Sequence, residues 1–191
     1  MRHKIGNLVS VIYSVIKFTI MKIFYGKNFK YYFIERVSPN VVLDIGRKSQ
    51  LYLGKRVRIH SGTRLTVADQ GTLQLGDDCR MNNNCRVACR YNIKIDSGVE
   101  FGPGVLVYDH DHDFRISGGI KADAFKKADV YIGKNCWIGA GTIILRGTHL
   151  GDNCVVGAGS VIKGDFPANS LIVQKRETSY TQIVEEKNEK R

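Results

Sequence analysis

The side chains best equipped for chemistry in this sequence lie in one short stretch, Tyr108-Asp109-His110-Asp111-His112-Asp113-Phe114-Arg115. A histidine with an unperturbed pKa of ~6.5 is largely neutral near pH 7 and can take a proton from a hydroxyl. His110 and His112 are therefore the two candidate general bases. In extended chain they face one side and Asp109, Asp111 and Asp113 the other, so the flanking aspartates need not be the imidazole's partner and the sequence leaves the orienting carboxylate or carbonyl open. Alternating imidazoles and carboxylates can also chelate a divalent metal. Two same-side imidazoles supply only half of a zinc shell, so no metal is expected there. A solvated acidic loop with incidental histidines is the plainest alternative.

A six-residue repeat must position this stretch. Units led by Ile132, Ile138, Ile144, Leu150 and Val156 each carry a small residue four places later, and Ile162 opens a further unit. The frame recurs at Leu53, Ile59 and Leu65, at Leu75, Met81 and Val87, and, after a two-residue slip, at Ile95, Phe101 and Val107. Positions one and five face the same way in extended chain, here inward, and a helical period would not keep this register. One unit cannot bury its apolar side alone, so successive units must stack into an all-β solenoid, a parallel β-helix. Cys79, Cys85, Cys136 and Cys154 all fall at position five and read as small core residues, while Cys89 stands off the frame. The repeat stops between Val107 and Tyr131. A long excursion from a regular solenoid is costly to order, and the loop 108–130 is where function is expected.

Twenty glycines against three prolines suit many tight turns. The formal charge of +11 implies an anionic partner: a phosphorylated cofactor, a membrane surface or nucleic acid. No basic recognition helix or aromatic RNA-binding signature is present, so no nucleic acid is expected. Five cysteines with core placements suggest a reducing, cytoplasmic compartment. Residues 1–40 form a basic apolar arm that reads as a helical cap over an open end of the fold, or as a helix lying on an anionic membrane surface through residues 1–36. Lys17 and Lys22 interrupt its apolar run and argue against a transmembrane span. The main domain is 41–172. A charged tail without periodicity occupies 173–191.

With the repeat and the broken-frame loop in place, the chain resembles the hexapeptide-repeat, left-handed β-helix acyltransferases. The branch is that of maltose and galactoside O-acetyltransferases and the sugar acetyltransferases of surface polysaccharide synthesis. The resemblance implies a three-sided prism, left-handed crossovers and a homotrimer with active sites between subunits. It implies acetyl-CoA as acyl donor and a sugar acceptor, by direct attack with a histidine base. In the family, a repeat like Phe101-Gly102-Pro103-Gly104-Val105 precedes the catalytic histidine at a distance that falls on His112, with His110 the alternative. Ala140 matches the oxyanion donor, with Gly141 and Ala158 in the coenzyme groove. Asn82 matches the residue that positions the acceptor hydroxyl, and Trp137 matches a tryptophan beside the site or is trimer interface. The family's Thr-Lys-Asp stretch is replaced by Ile162-Lys163-Gly164-Asp165, leaving Lys163, Lys175 and Arg176 as candidates for the coenzyme phosphates. Arg90, grouped with Arg80 and Arg86, suggests an anionic acceptor. Competing readings are N-acetyl transfer to an amino sugar, a zinc hydratase of the γ-carbonic-anhydrase type needing His149 as third imidazole, and a non-catalytic scaffold.

Overall fold

Apolar residues at alternate positions oblige each short strand to bury one side, and coiling lets every strand pair in parallel with its counterpart one turn away. In the computed structural model, which describes residues 2–32 and 35–182, the outcome is a parallel β-helix of about six turns. It has three faces. The first is built from Phe29–Lys30, Gln50–Leu53, Thr72–Leu75, Asn92–Ile95 and Val130–Ile132. The second stacks Arg36–Val37, Arg58–Ile59, Arg80–Met81, Glu100–Phe101, Trp137–Ile138, Val155–Val156 and Leu171–Ile172. The third stacks Val42–Ile45, Arg64–Val67, Arg86–Cys89 and Leu106–Tyr108. Ile143–Leu150 and Val161–Phe166 bend round the corner from the third face to the first.

The core is a set of inward columns. On the second face these are Val37, Ile59, Met81, Phe101, Ile138 and Val156, all buried. The position-five cysteines fill the space between columns as expected. Cys89 joins them, paired with Val67 on the third face, with its Sγ 3.3 Å from the Thr72 carbonyl. Burial drives the thiols of Cys79, Cys85, Cys89 and Cys136 away from ionisation, Cys136 to about 11 and Cys79 to about 12.

The spacing of stacked units is not uniform. Equivalent residues are 18 apart at Asn135 to Asn153 and 16 at Asn153 to Asn169, but 20 apart at Arg80 to Glu100 and 22 at Arg56 to Asp78. In the Leu51–Leu73 coil the corner before Thr72 carries added residues, with Asp69 and Gln70 in left-handed backbone. The β-helix also begins earlier than the 1–40 arm allows, at Phe29.

The arm's helix, Arg2–Tyr25, closes the N-terminal end. Phe18 is buried against Phe29 and Tyr31, with ring centroids 5.3 and 5.2 Å away. Ser14 Oγ accepts from the Val37 amide at 3.0 Å. By length and composition Leu8–Asn28 is long and apolar enough to cross a membrane. The two lysines that argue against a span in the sequence are turned onto the protein: Lys17 Nζ donates to the Val41 carbonyl, and Lys22 Nζ to those of Gly26 and Phe29. Glu35, also buried at this end, has its pKa pushed up to about 8 by burial, with only partial offset from the backbone amides of Val57 and Tyr32. Residues 183–191 of the tail lie outside the described residues, and the part up to Gln182 has no regular structure after Ile172.

Candidate active site

The loop leaves the third face at the end of Leu106–Tyr108 and returns at Val130–Ile132, forming an antiparallel hairpin of His110–His112 with Phe125–Lys127. Its base is closed by the Ala128 amide donating to the Asp109 carbonyl at 3.0 Å. Strand parity explains what happens to Asp109. Val105 and Val107 point into the core, so the next odd residue does too, and the Asp109 side chain is fully buried.

That buried carboxylate is fully occupied. It accepts from the Arg90 amide at 2.8 and 3.1 Å and from the Tyr91 amide at 2.8 Å, and its Oδ1 lies 2.8 Å from His110 Nδ1. Burial works against its charge, but the hydrogen bonds from His110 and the two amides outweigh this and hold the carboxyl below its ordinary range. An ionised carboxylate only accepts, so Nδ1 carries the proton and Nε2 presents a lone pair. This corrects the expectation that the adjacent aspartates face away from the imidazoles: where the strand ends, the chain bends and Asp109 becomes the partner of His110.

His112, the residue favoured by family spacing, is exposed and tilts against Phe125 at 4.5 Å. Asp111 pairs with Arg146, on the coil segment Ile143–Leu150, and Asp113 with Lys126 of the hairpin's other strand. His110 instead sits beside a cavity of about 220 Å³ lined by Arg64, Arg86, Arg90 and Tyr108. The Arg90 guanidinium stacks over Phe125 at 3.9 Å and is neutralised by Asp69 at 2.6 Å. Arg64 and Arg86 are adjacent rungs of the third face, and among the described residues no carboxylate pairs with either. Arg80 does not join them. It lies on the second face and pairs with Glu100 at 2.9 Å.

The coenzyme candidates gather at another corner, between the second and third faces. There the amides of Asn84, Gly104, Gly141 and Gly159 donate in turn to the carbonyls of Ser61, Asn83, Pro103 and Ala140. All four donors are in left-handed backbone, so Asn84, one of the three consecutive asparagines, is a corner residue. Beside this ladder, glycines let successive coils stack closely. A Cβ on Gly102 would come within 2.6 Å of the Ala140 nitrogen, and one on Gly139 within 2.5 Å of the Ala158 nitrogen. The Ala140 amide donates to no backbone carbonyl among the described residues, leaving an N–H available. Arg176 lies against Gly159 and donates to its carbonyl. Lys175 is exposed in the same segment as Arg176, whereas Lys163 is exposed on Val161–Phe166 where it bends towards the first face, away from this corner. Asn82 donates its amide to the Phe101 carbonyl at 3.2 Å and borders a second cavity of about 230 Å³ with Arg58, His60 and Arg80. Trp137 is exposed on the rung between Glu100 and Val155.

Within one chain, then, His110 and the Asn82–Ala140 group occupy opposite edges of the third face. His149 is held by Asp165 at 2.8 Å and Asp129 at 3.4 Å, and among the described residues no cluster of three His, Cys, Asp or Glu is placed to hold a metal ion. The sequence missed Asp109, Arg64, Tyr108 and Phe125 as members of this site. Asp109 alone had a signal, the inward parity of Val105 and Val107.

The fold is a parallel β-helix whose coils follow a six-residue repeat. Residues 129–163 match the family model described as the hexapeptide repeat of succinyl-transferase. The chain is similar to the probable acetyltransferase Rv3034c of Mycobacterium tuberculosis, 29% identical over 65% of this chain and 42% of that protein. It is likewise 29% identical to the putative lipopolysaccharide biosynthesis O-acetyl transferase WbbJ of Escherichia coli, over 58% of this chain and 61% of that one. The chain thus spans less than two thirds of the length of either relative. Among solved structures it superposes on AntD, an N-acyltransferase of Bacillus cereus in complex with an aminosugar nucleotide and coenzyme A. The TM-score is 0.60 at 16% identity, over 87% of this chain and 90% of that one, which speaks for the fold.

Proposed function

We propose that this protein transfers the acetyl group of acetyl-CoA to a sugar hydroxyl, with His110 as general base and Asp109 as the group that orients it. The observation that carries the reading is the buried carboxylate on Nδ1, which leaves Nε2 free to take the hydroxyl proton. The alkoxide oxygen then bonds to the thioester carbonyl carbon, and the oxyanion accepts from the Ala140 amide. Collapse breaks the C–S bond, and the imidazolium returns its proton to the departing CoA sulfur. No acyl-enzyme forms.

His110 and Ala140 lie at different corners of one chain, so the working site unites the loop of one subunit with the glycine-lined corner of another. This supports a homotrimer, in which the loop of each subunit meets the glycine-lined corner of the next. Arg176, with Lys175, would meet the coenzyme phosphates, while Asn82 and Trp137 would contribute to the acceptor side. The unpaired Arg64 and Arg86 beside His110, with Arg90, favour an acceptor carrying a phosphate or other anion. Similarity to a lipopolysaccharide O-acetyl transferase supports oxygen rather than nitrogen as the nucleophile and a role in polysaccharide synthesis.

The test is a screen of neutral sugars, amino sugars and phosphate-linked sugars with acetyl-CoA, reading free thiol release and the acetylated product. Ester formation on a phosphate-linked sugar, with a KM raised at least about tenfold in Arg64→Ala/Arg86→Ala, is the expected result. Amide formation on an amino sugar would move the assignment to N-acetyl transfer. Equal turnover of neutral and charged acceptors would remove the anionic-acceptor reading.

A further inference from the structure

One feature of the fold serves no step of acetyl transfer: the outward side of the N-terminal helix. Leu8, Ile12, Ile16, Ile20 and Phe24 follow one another at four-residue steps and are each at least half exposed, flanked by Val9 and by Ile23, which is 76% exposed. The stripe runs for about 24 Å at 1.5 Å per residue. Soluble surfaces seldom present an apolar patch of this extent without a partner.

The charges on the helix are arranged to keep that stripe apolar. Lys17 is drawn inward to the Val41 carbonyl at 2.6 Å. Lys22 folds back to the carbonyls of Gly26 and Phe29, each at 2.8 Å. The opposite side is anchored, through Phe18 and Ser14, to the first coil of the β-helix. In the sequence, cationic residues flank the stripe instead, Arg2 and Lys4 before it and Lys27 and Lys30 after it.

We propose that this helix lies parallel to the surface of an anionic lipid bilayer, its Leu8–Phe24 stripe sunk into the interface while its other side still caps the β-helix. Charge decides between occupants. A second copy of the helix, packed either way round, would bring cationic ends together, whereas an anionic headgroup layer meets both ends with the opposite sign. A spanning orientation would strip Phe18 and Ser14 from the first coil and carry Lys17 into hydrocarbon. The in-plane arrangement keeps every one of these contacts.

The experiment is vesicle flotation of the full chain with phosphatidylcholine alone and with phosphatidylcholine containing a quarter, roughly, of phosphatidylglycerol. The protein should float with the anionic vesicles at least about tenfold more than with the neutral ones, and less in high salt. Ile12→Glu/Ile16→Glu should cut the bound fraction at least about tenfold with an unchanged melting temperature, since both side chains are more than half exposed. Failure of the unaltered protein to float, or equal flotation of the double variant, would overturn the proposal. So would resistance to alkaline carbonate extraction, which marks a spanning helix. A double variant that lost oligomer mass in sedimentation with no vesicle binding by the parent would assign the stripe to a second copy.

Discussion

Replacing Asp109 with asparagine tests the heart of the site, because the two side chains have the same shape and differ in what they can accept. In the native site one oxygen takes the Tyr91 amide at 2.8 Å and the Arg90 amide at 3.1 Å, while the other faces His110 Nδ1 and the Arg90 amide, each at 2.8 Å. Asparagine has a single oxygen. Turning it to the two amides keeps most of the backbone hydrogen bonds, and its NH₂ then points at Nδ1. The imidazole must accept there, so its proton moves to Nε2 and the lone pair needed for proton abstraction is lost. The analogous change in the serine-protease triad costs ~10⁴ in kcat through the same wrong tautomer, and a base contributes ~10²–10⁴ in general. The variant should therefore lose about 10²–10⁴ in kcat with little change in the KM for acetyl-CoA. Loss of the charge-assisted hydrogen bonds should lower stability by ~1.5–3 kcal/mol, which thermal melting will read separately. A folded Asp109→Asn protein with kcat within about threefold of the parent would refute the orienting role.

Other consequences follow from burial and packing. The Glu35 carboxyl keeps its proton to about pH 8 in the folded protein, whereas the unfolded chain releases it near 4.5. Stability therefore falls as pH rises through that window, by up to about 4–5 kcal/mol, and Glu35→Gln should gain on the parent between pH 5 and pH 8 in denaturant titrations. An advantage of equal size at both pH values would show that the carboxyl is not buried as a neutral acid. Gly139→Ala, which sets a methyl 2.5 Å from the Ala158 nitrogen, should cost ~1–3 kcal/mol and several degrees of melting temperature. An unchanged melting curve would mean that the coils are not in this register. All five cysteines are buried, so an aromatic disulfide reagent should titrate none promptly in the native protein and five after denaturation. Rapid labelling of one thiol would place it outside the core.

The β-helix was legible because its signal is distributed: nearly every coil repeats the same inward positions, and misreading one unit changes nothing. The unequal coils were harder to see. Residues such as Asp69 and Gln70 occupy corners, where side chains point to solvent and leave no apolar period to count. In the candidate loop 108–130, the break in the repeat marked the excursion, and both histidines were visible. Their ranking was not, because family spacing measures distance along the chain, while the partner of His110 is fixed by the parity of Val105 and Val107 and a bend at the strand's end. Arg64 and Arg86 came beside His110 through a coil separation of 22 residues that the 18-residue frame does not predict. The helix shows the converse case. Lys17 and Lys22 break the apolar run in the sequence, yet in three dimensions they leave the outward stripe uncharged.

The central claim is that His110, held by Asp109, is the base for acetyl transfer. Its most direct test is kcat for His110→Ala and His112→Ala side by side, by thiol release from acetyl-CoA with the best acceptor from the screen. His110→Ala should lose at least about 10²-fold, and His112→Ala should stay within about tenfold of the parent. The reverse order would contradict the account and return the role to His112.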